Sequence, residues 1–396
     1  MTPVRFDEAF ARIERGVAPL GSEVVPLHQA VGRVLCDPVV AQLTMPRQDV
    51  SAMDGYALRQ ADASEIPFRL PVSGEVAAGA APGQSLRSGS MMRIFTGAPV
   101  PSDADLVIVQ ENIERDGALA AVIKPYGPGR HIRQKGSDFF AGDVLIESGH
   151  RMTWKSVTTA AGADISDVHV YQRPRVAILA TGDELAKPGT ARSRPGAIPE
   201  SVSCGVHAYV EAQGGEVVWK NSLPDEPEQL QSAANVAVNV ADVIVIIGGA
   251  SVGDRDYSRT IFGAELDYVF PKVAIKPGKP VWMARSAGRW VLGLPGNPTA
   301  ALVTARLFLA PLLAGLSGGE PAKTVQFQQM PLIGNLPATS GRECFVRARR
   351  KRNEAQALNQ QDSSNQSALS MADLLIRRPA NAAALKHGDL VSVLDF

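Results

Sequence analysis

Net charge is what this sequence most plainly lacks: across 396 residues, 40 Lys and Arg offset 40 Asp and Glu. With no overall field to draw nucleic acid or an anionic membrane, neither partner is expected, and any anion site must be built locally. Cysteine is nearly as scarce. Cys36, Cys204 and Cys344 are odd in number, far apart and without a CxxC pair, which argues against a disulfide framework or structural zinc and for a reducing compartment. The histidines are scattered and form no HExxH or paired ligand set. A Walker sequence is missing, since Lys279 follows Gly278 but precedes Pro280, so an ordinary P-loop NTPase recedes. The opening "MTPVRFDEAFARIERG" mixes acids with bases and spaces Phe6, Phe10, Ile13 and Val17 along one helix face. That is unlike a secretory or transit peptide, and a cytoplasmic location is expected. The most apolar window, "ADVIVIIGGASVG", contains Asp242 and a glycine turn and is too short to cross a bilayer.

What is present is a change of pattern along the chain. From about Val39 to Gly129, short apolar runs ("LPVSGEV", "MMRIF", "LVIVQE", "AAVIKP") alternate with turn residues, an all-β signature. Helical pieces flank it, the N-terminal helix before and "TWKSVTTAAGA" after, which fits a discontinuous helical module (1–40 and 136–172) interrupted by a β-rich insert (41–135). From Arg175 the grammar becomes βαβαβ: "VAILAT", "SCGVHAYVEAQGG", "EVVW", "EPEQLQSAANVAVNVA" and "DVIVIIGG". Such units build a central parallel-sheet α/β domain (173–318) whose ligands sit at the carboxyl ends of the strands. "ATGDE" and "GGASVGDRD" are therefore expected on one rim. A β pattern returns in "TVQFQQMPLIG", "RECFVRARR" and "DLVSVLDF", predicting a C-terminal β-barrel or sandwich over 319–396. The expected fold class is multidomain α/β plus β.

Several stretches carry possible chemistry. In "IIGGASVGDRDY" a buried strand ends in a glycine loop, where backbone N–H groups can approach an oxyanion closely, yet Asp254 and Asp256 follow where a nucleotide loop would supply lysine. The anion should then come with a metal or with cations from elsewhere. "VAIKPGKP" sets Lys276 and Lys279 either side of a Pro-Gly turn, close enough to repel unless an oxyanion such as phosphate, sulfate or molybdate lies between them; the alternative is a surface turn with solvated lysines. "TGDELAKPG" brings Asp183 and Glu184 to a strand end, as metal-bridging carboxylates or as ordinary first-turn acids. "GLPGNPTAAL" reads as strand to helix, with Asn297 as cap and Pro298 at the first helical position. "DVSAMDGYAL" and "RIFTGAPVP" show no metal or nucleophile spacing, and Asp54 before Gly55 reads as a turn.

Taken in order, "SAMDGYAL", "RIFTGAPVPSDAD", "IRQKGSDFFAGD", "ATGDEL", "GGASVGDRDY", "IKPGKP" and "GLPGNP" resemble the molybdopterin molybdenumtransferase family, which includes the C-terminal domain of gephyrin. The resemblance implies the last step of molybdenum cofactor biosynthesis: molybdate enters the dithiolene of adenylylated molybdopterin, with Mg²⁺-dependent release of AMP. It implies a central domain of the molybdopterin-binding type and a homodimer in which the β insert of one subunit faces the cleft of the other. Residue by residue, it implies that Gly248, Gly249, Ser251 and Gly253 cradle the substrate beside Thr181 and Gly182. Asp256 holds Mg²⁺, with Glu184 and Asp225 completing the metal shell. Lys276, Lys279 and Pro280 form the molybdate site, joined by Arg347 and Ser363, and Lys272 is a further basic position in the cleft. Asp138 lies near that cleft, and Asp54 and Thr96 face the partner's pocket. A molybdopterin adenylyltransferase would donate the substrate, and molybdoenzymes or their chaperones would receive the product. Two departures stand out: "IPESV" places Glu200, Ser201 and Val202 where the family usually ends on an Asn, and Ile247 stands where Ser or Thr is common. Two other functions fit related folds, a non-catalytic molybdopterin-binding or scaffold protein and the ATP-consuming adenylyltransferase of the preceding step; tungstate could replace molybdate.

Overall fold

A computed structural model of the chain describes residues 2–249, 257–263 and 266–396. The β insert is a six-stranded sheet in the order Leu106–Val109, Gly55–Leu58, Met91–Ile94, Phe68–Val76, Leu119–Val122, Ile113–Asp116. All four apolar runs read from the sequence are strands in it. The stretch expected as a simple turn after Asp54 is instead a fully buried inner strand, Gly55–Leu58. Its entry depends on glycine, because a Cβ on Gly55 would stand 2.1 Å from the Ile108 carbonyl oxygen.

Residues before and after this insert share one core, including Val25, Leu35, Ile146, Met152 and Val168. The expected helical character of this module is only partly met. It has one α-helix, Trp154–Gly162, closed by a reciprocal Thr153 and Ser156 capping box, and is otherwise held by antiparallel pairing of Ser22–Pro26 with Asp167–Tyr171 and of Val39–Val40 with Val144–Ile146. The N-terminal helix Phe6–Gly16 does not pack there. Phe6, Ala9 and Ile13 bury in a core shared by the central domain and the C-terminal barrel, where the Phe6 ring lies 5.9 Å from Phe308 of the first and 5.2 Å from Phe345 of the second. The helix carries its own apolar face, but the largest apolar surface available to it belongs to the α/β core.

The central sheet runs Glu216–Leu223, Arg175–Thr181, Val243–Ile247, Arg289–Leu294, Trp282–Ser286, Asp267–Phe270. The first four strands are parallel, as the βαβ pattern predicts; Trp282–Ser286 runs against Arg289–Leu294, so the sheet is mixed. Ala287 (φ 47°) and Gly288 (φ 76°) form the two-residue hairpin between them, the left-handed pair that matches strand twist. Along each inner strand alternate residues face opposite layers. Val243, Val245 and Ile247 join Val206, Val210 and Leu309 on one side, while Ile244 and Ile246 join Leu230, Ala233 and Ala237 of the helix Pro227–Val240 on the other.

The helical run Pro298–Leu316 is long and apolar enough to cross a membrane, and 89% of it is buried inside the protein. Its hydropathy is that of a core helix. Residues Ala305–Leu309 form a π-turn, which accommodates Pro311: its ring lacks an N–H and would strike the Leu307 carbonyl in an unbroken α-helix.

The C-terminal domain is a closed barrel. Glu343–Lys351, Glu354–Ala357, Gln328–Ile333, Leu390–Asp395 and Leu374–Arg378 pair in turn, and the last returns to the first. The short strand Ile275–Lys276 of the central domain adds to this barrel in parallel with Glu343–Cys344. That pairing fixes the backbone leading to Lys279.

Candidate functional site

The carboxyl ends of Arg175–Thr181, Val243–Ile247 and Arg289–Leu294 open into a cleft of about 840 Å³. Its floor is glycine and proline, from Gly248, Gly249 and the loop Pro295–Pro298. The rest of the lining divides by charge into an acidic set, Glu184 and Asp225 with Thr181 and Gly182, and a basic set, Arg259, Lys272 and Lys279 with Pro280. Ser364 and Gln366 reach it from the barrel. Of the two loops expected on one rim, "ATGDE" contributes Thr181, Gly182 and Glu184 to the lining and "GGASVGDRD" contributes Gly248 and Gly249, the rest of the second loop lying outside the described residues.

The glycine floor is a steric requirement. Gly248 adopts φ 92° directly after its strand and donates its N–H to the Leu294 carbonyl at 3.2 Å; a Cβ there would lie 2.6 Å from the Thr181 carbonyl oxygen. At Gly182 the nearest atom to an added Cβ is the exposed Glu184 carboxylate, at 2.8 Å, which can swing away, so the floor's steric demand lies at Gly248. Within the acidic set the Thr181 hydroxyl donates to Asp225 Oδ1, and the Asp225 N–H donates to Asp183 Oδ1 at 3.1 Å. These bonds fix the Asp225 carboxylate at the rim while Glu184 stays exposed.

Beside the basic set, Gly278 (φ 103°) packs so closely on the core helix that a Cβ would stand 2.2 Å from Thr304 Cγ2. The Pro-Gly turn is thereby clamped, and it aims Lys279 and Pro280 into the cleft. Lys276 is exposed one step away, paired through its backbone with Cys344 and outside the cleft lining. Arg259 donates to the Pro271 carbonyl at 3.0 Å and lies over the Tyr268 and Trp282 rings at 5.8 and 5.5 Å.

Other expected residues fall in different places. Ser251, Gly253 and Asp256 lie outside the described residues. Asp54 and Thr96, far apart in sequence, form one unit: the Thr96 N–H and hydroxyl both donate to Asp54 Oδ1, at 2.7 and 2.8 Å. Those two bonds hold the exposed Asp54 carboxyl below its usual pKa. The pair belongs to the insert and does not line this chain's cleft. Asp138 is likewise exposed on the insert side, its N–H donating to the Met45 carbonyl at 3.1 Å.

Arg347 does not reach toward a ligand. It is 1% exposed, and its guanidinium donates to Thr299 Oγ1 and to the carbonyls of Asn365 and Asp362, at 3.2, 3.3 and 2.9 Å. Those bonds strap the loop bearing Ser364 and Gln366 onto the central domain. Ser363 sits in the same strap, its hydroxyl accepting from Asn297 Nδ2 at 3.1 Å. The Asn297 side chain is thus committed to the loop and makes no capping bond to its own helix, although Pro298 does occupy the first turn. Glu200, Ser201 and Val202, the departure noted in "IPESV", line the cleft, whereas Gln366 was not singled out by sequence, because only folding brings barrel and central domain together at this point.

These features place the chain among multidomain α/β proteins whose central domain is built around a cleft suited to an anionic ligand. Residues 4–163 match the MoeA N-terminal region (domain I and II), 177–315 the "Probable molybdopterin binding domain", and 329–396 the MoeA C-terminal region (domain IV). The chain is 34% identical over 331 residues to a molybdopterin molybdenumtransferase of Haemophilus influenzae, covering 83% of this chain and 81% of that protein. It is 36% identical over 349 residues to molybdopterin molybdenumtransferase 2 of Mycobacterium tuberculosis, covering 85% of each. The crystal structure of the molybdopterin biosynthesis MoeA protein from Pyrococcus horikoshii superposes with a TM-score of 0.84 at 30% identity, over 100% of this chain and 99% of that one. The chain belongs to the molybdopterin molybdenumtransferase family.

Proposed function

We propose that this protein, as an enzyme of molybdenum cofactor biosynthesis, inserts molybdate into adenylylated molybdopterin and releases AMP with Mg²⁺. The observation that supports this reading is that one cleft gathers basic residues, carboxylates and a glycine loop in its lining. Lys279, Lys272 and Arg259 supply the charge to hold a tetrahedral dianion and phosphate oxygens through charge-assisted hydrogen bonds. Lys276 joins this set from the adjoining strand, and Pro280 stiffens the turn.

Glu184 and Asp225 fit a magnesium site of the kind that uses one or two carboxylates and takes its remaining oxygens from substrate and water. Among the described residues no three His, Cys, Asp or Glu side chains cluster as a metal site, so Glu184 and Asp225 would leave the remaining positions to substrate and water. Bound there, Mg²⁺ supplies Lewis-acid neutralisation of charge on phosphoryl oxygens. The acidic set orients that end, the lysines hold the incoming dianion at the other, and the glycine floor lets backbone approach both. Asp256 is assigned to the same magnesium shell.

The Asp54 and Thr96 unit, which has no role in this chain's own cleft, is assigned to the partner's cleft in a homodimer. A molybdopterin adenylyltransferase is the proposed donor and molybdoenzymes or their chaperones the acceptors. The cysteines among the described residues are all free, which supports a reducing, cytoplasmic setting. The metal assignment is tested by titrating Mg²⁺ into AMP-release assays of Glu184→Gln and Asp225→Asn. Each should raise the magnesium concentration for half-maximal rate about tenfold, and an unchanged requirement in both removes these residues from the metal shell.

A further inference from the structure

We propose that Glu200 sets the direction in which the substrate lies, by filling with the protein's own carboxylate a helix N-terminus that opens into the cleft. The helix Val202–Ala212 begins in the cleft lining, and its flanking residue Ser201 makes no side-chain capping bond. Glu200 takes over that function. It is 6% exposed, its Oε1 accepts from the Ser203 N–H at 2.9 Å, and its Oε2 accepts from the Ser203 hydroxyl. The Glu200 N–H donates to the Ala186 carbonyl at 2.8 Å, so the short ladder that follows Glu184 also fixes this carboxylate.

A free helix N-terminus attracts phosphate and carboxylate through its unpaired N–H groups and dipole. Here the Ser203 N–H is already engaged by Glu200, and that carboxylate stands in the cleft lining. No Lys or Arg forms an ion pair with Glu200 among the described residues. An anionic group entering this side meets a carboxylate that cannot donate a hydrogen bond. The anion's favourable partners in the lining are Arg259, Lys272 and Lys279. The Glu200 side is left for a group rich in N–H donors, such as the aminopyrimidine edge of a pterin. The inference rests on the proposed ligand having one anionic and one donor-rich end.

The test compares Glu200→Gln with Ser203→Ala in the full-length protein, by calorimetric binding of AMP and of 6-hydroxymethylpterin. Gln keeps an oxygen to accept from the Ser203 N–H and removes the charge. Glu200→Gln should bind AMP several-fold to about tenfold more tightly and the pterin more weakly. Ser203→Ala loses the hydroxyl bond but keeps the carboxylate, and should lower stability without tightening AMP. An AMP affinity in Glu200→Gln equal to the parent's overturns the proposal and leaves Glu200 a helix cap alone. Because binding is read without turnover, a parent enzyme that fails to release AMP would count against the reaction, not against this assignment.

Discussion

Replacing Gly248 with alanine should disrupt the cleft floor more than its single methyl suggests. At φ 92° an L-residue pays a conformational cost of about 1–2 kcal/mol. The added Cβ would also stand 2.6 Å from the Thr181 carbonyl, a backbone atom held by its own sheet, so the strand ends must part by several tenths of an ångström. Together these predict a loss of roughly 2–4 kcal/mol. Two controls separate the causes. Gly288 has φ 76° with nothing within 4 Å of its missing Cβ, so Gly288→Ala reports the left-handed conformation alone. Gly296 would place its Cβ 3.5 Å from Gly248 Cα, ordinary contact without positive φ, so Gly296→Ala should cost less than about 1 kcal/mol. Urea denaturation followed by tryptophan fluorescence, which reports the buried Trp282 and Trp290 of the same sheet, ranks the three. A Gly248→Ala variant no less stable than Gly288→Ala would refute the close-approach argument.

The remaining predictions concern the strap and the insert. Arg347→Met leaves the carbonyls of Asp362 and Asn365 without their guanidinium partner and should destabilise the barrel by about 2–4 kcal/mol in denaturant melts, whereas a purely ligand-binding arginine would leave stability unchanged. Thr96→Val removes one of two bonds that depress the Asp54 pKa, so its titration should move up toward the ordinary value of about 3.9, as read by carboxyl NMR. The sign follows: a depressed folded pKa stabilises the insert above the unfolded value, and that contribution is lost as pH falls through the folded pKa. Thr96→Val should therefore flatten the acid sensitivity of the insert, and an unshifted Asp54 titration would contradict the bonding.

Much of this architecture was legible because burial writes itself into apolar runs. "VAILAT" and "DVIVIIGG" are inner strands, the four runs of the insert are strands, and the closing "DLVSVLDF" completes a barrel. What was illegible depends on contacts that no local pattern encodes. The hairpin that makes the central sheet mixed turns on Ala287, where an Asn would have announced a left-handed turn. "DGYAL" reads as a turn because Gly55 looks like punctuation, whereas it is there to let two backbones meet. Charged residues mislead in the same way. Arg347 in "FVRARR" was expected at the molybdate site by resemblance, and only the fold reveals three carbonyl and hydroxyl acceptors around it. The Asp54 and Thr96 bond joins two motifs that, read singly, had no chemistry.

The central claim is most directly tested by AMP release from the purified protein given adenylylated molybdopterin, with Mg²⁺ and molybdate each present or withheld. The account predicts AMP release that requires both ions, proceeds without ATP and is lost in Lys279→Ala. Tight substrate binding without AMP release, in a preparation shown to be folded, would contradict it and identify the protein as a molybdopterin-binding scaffold.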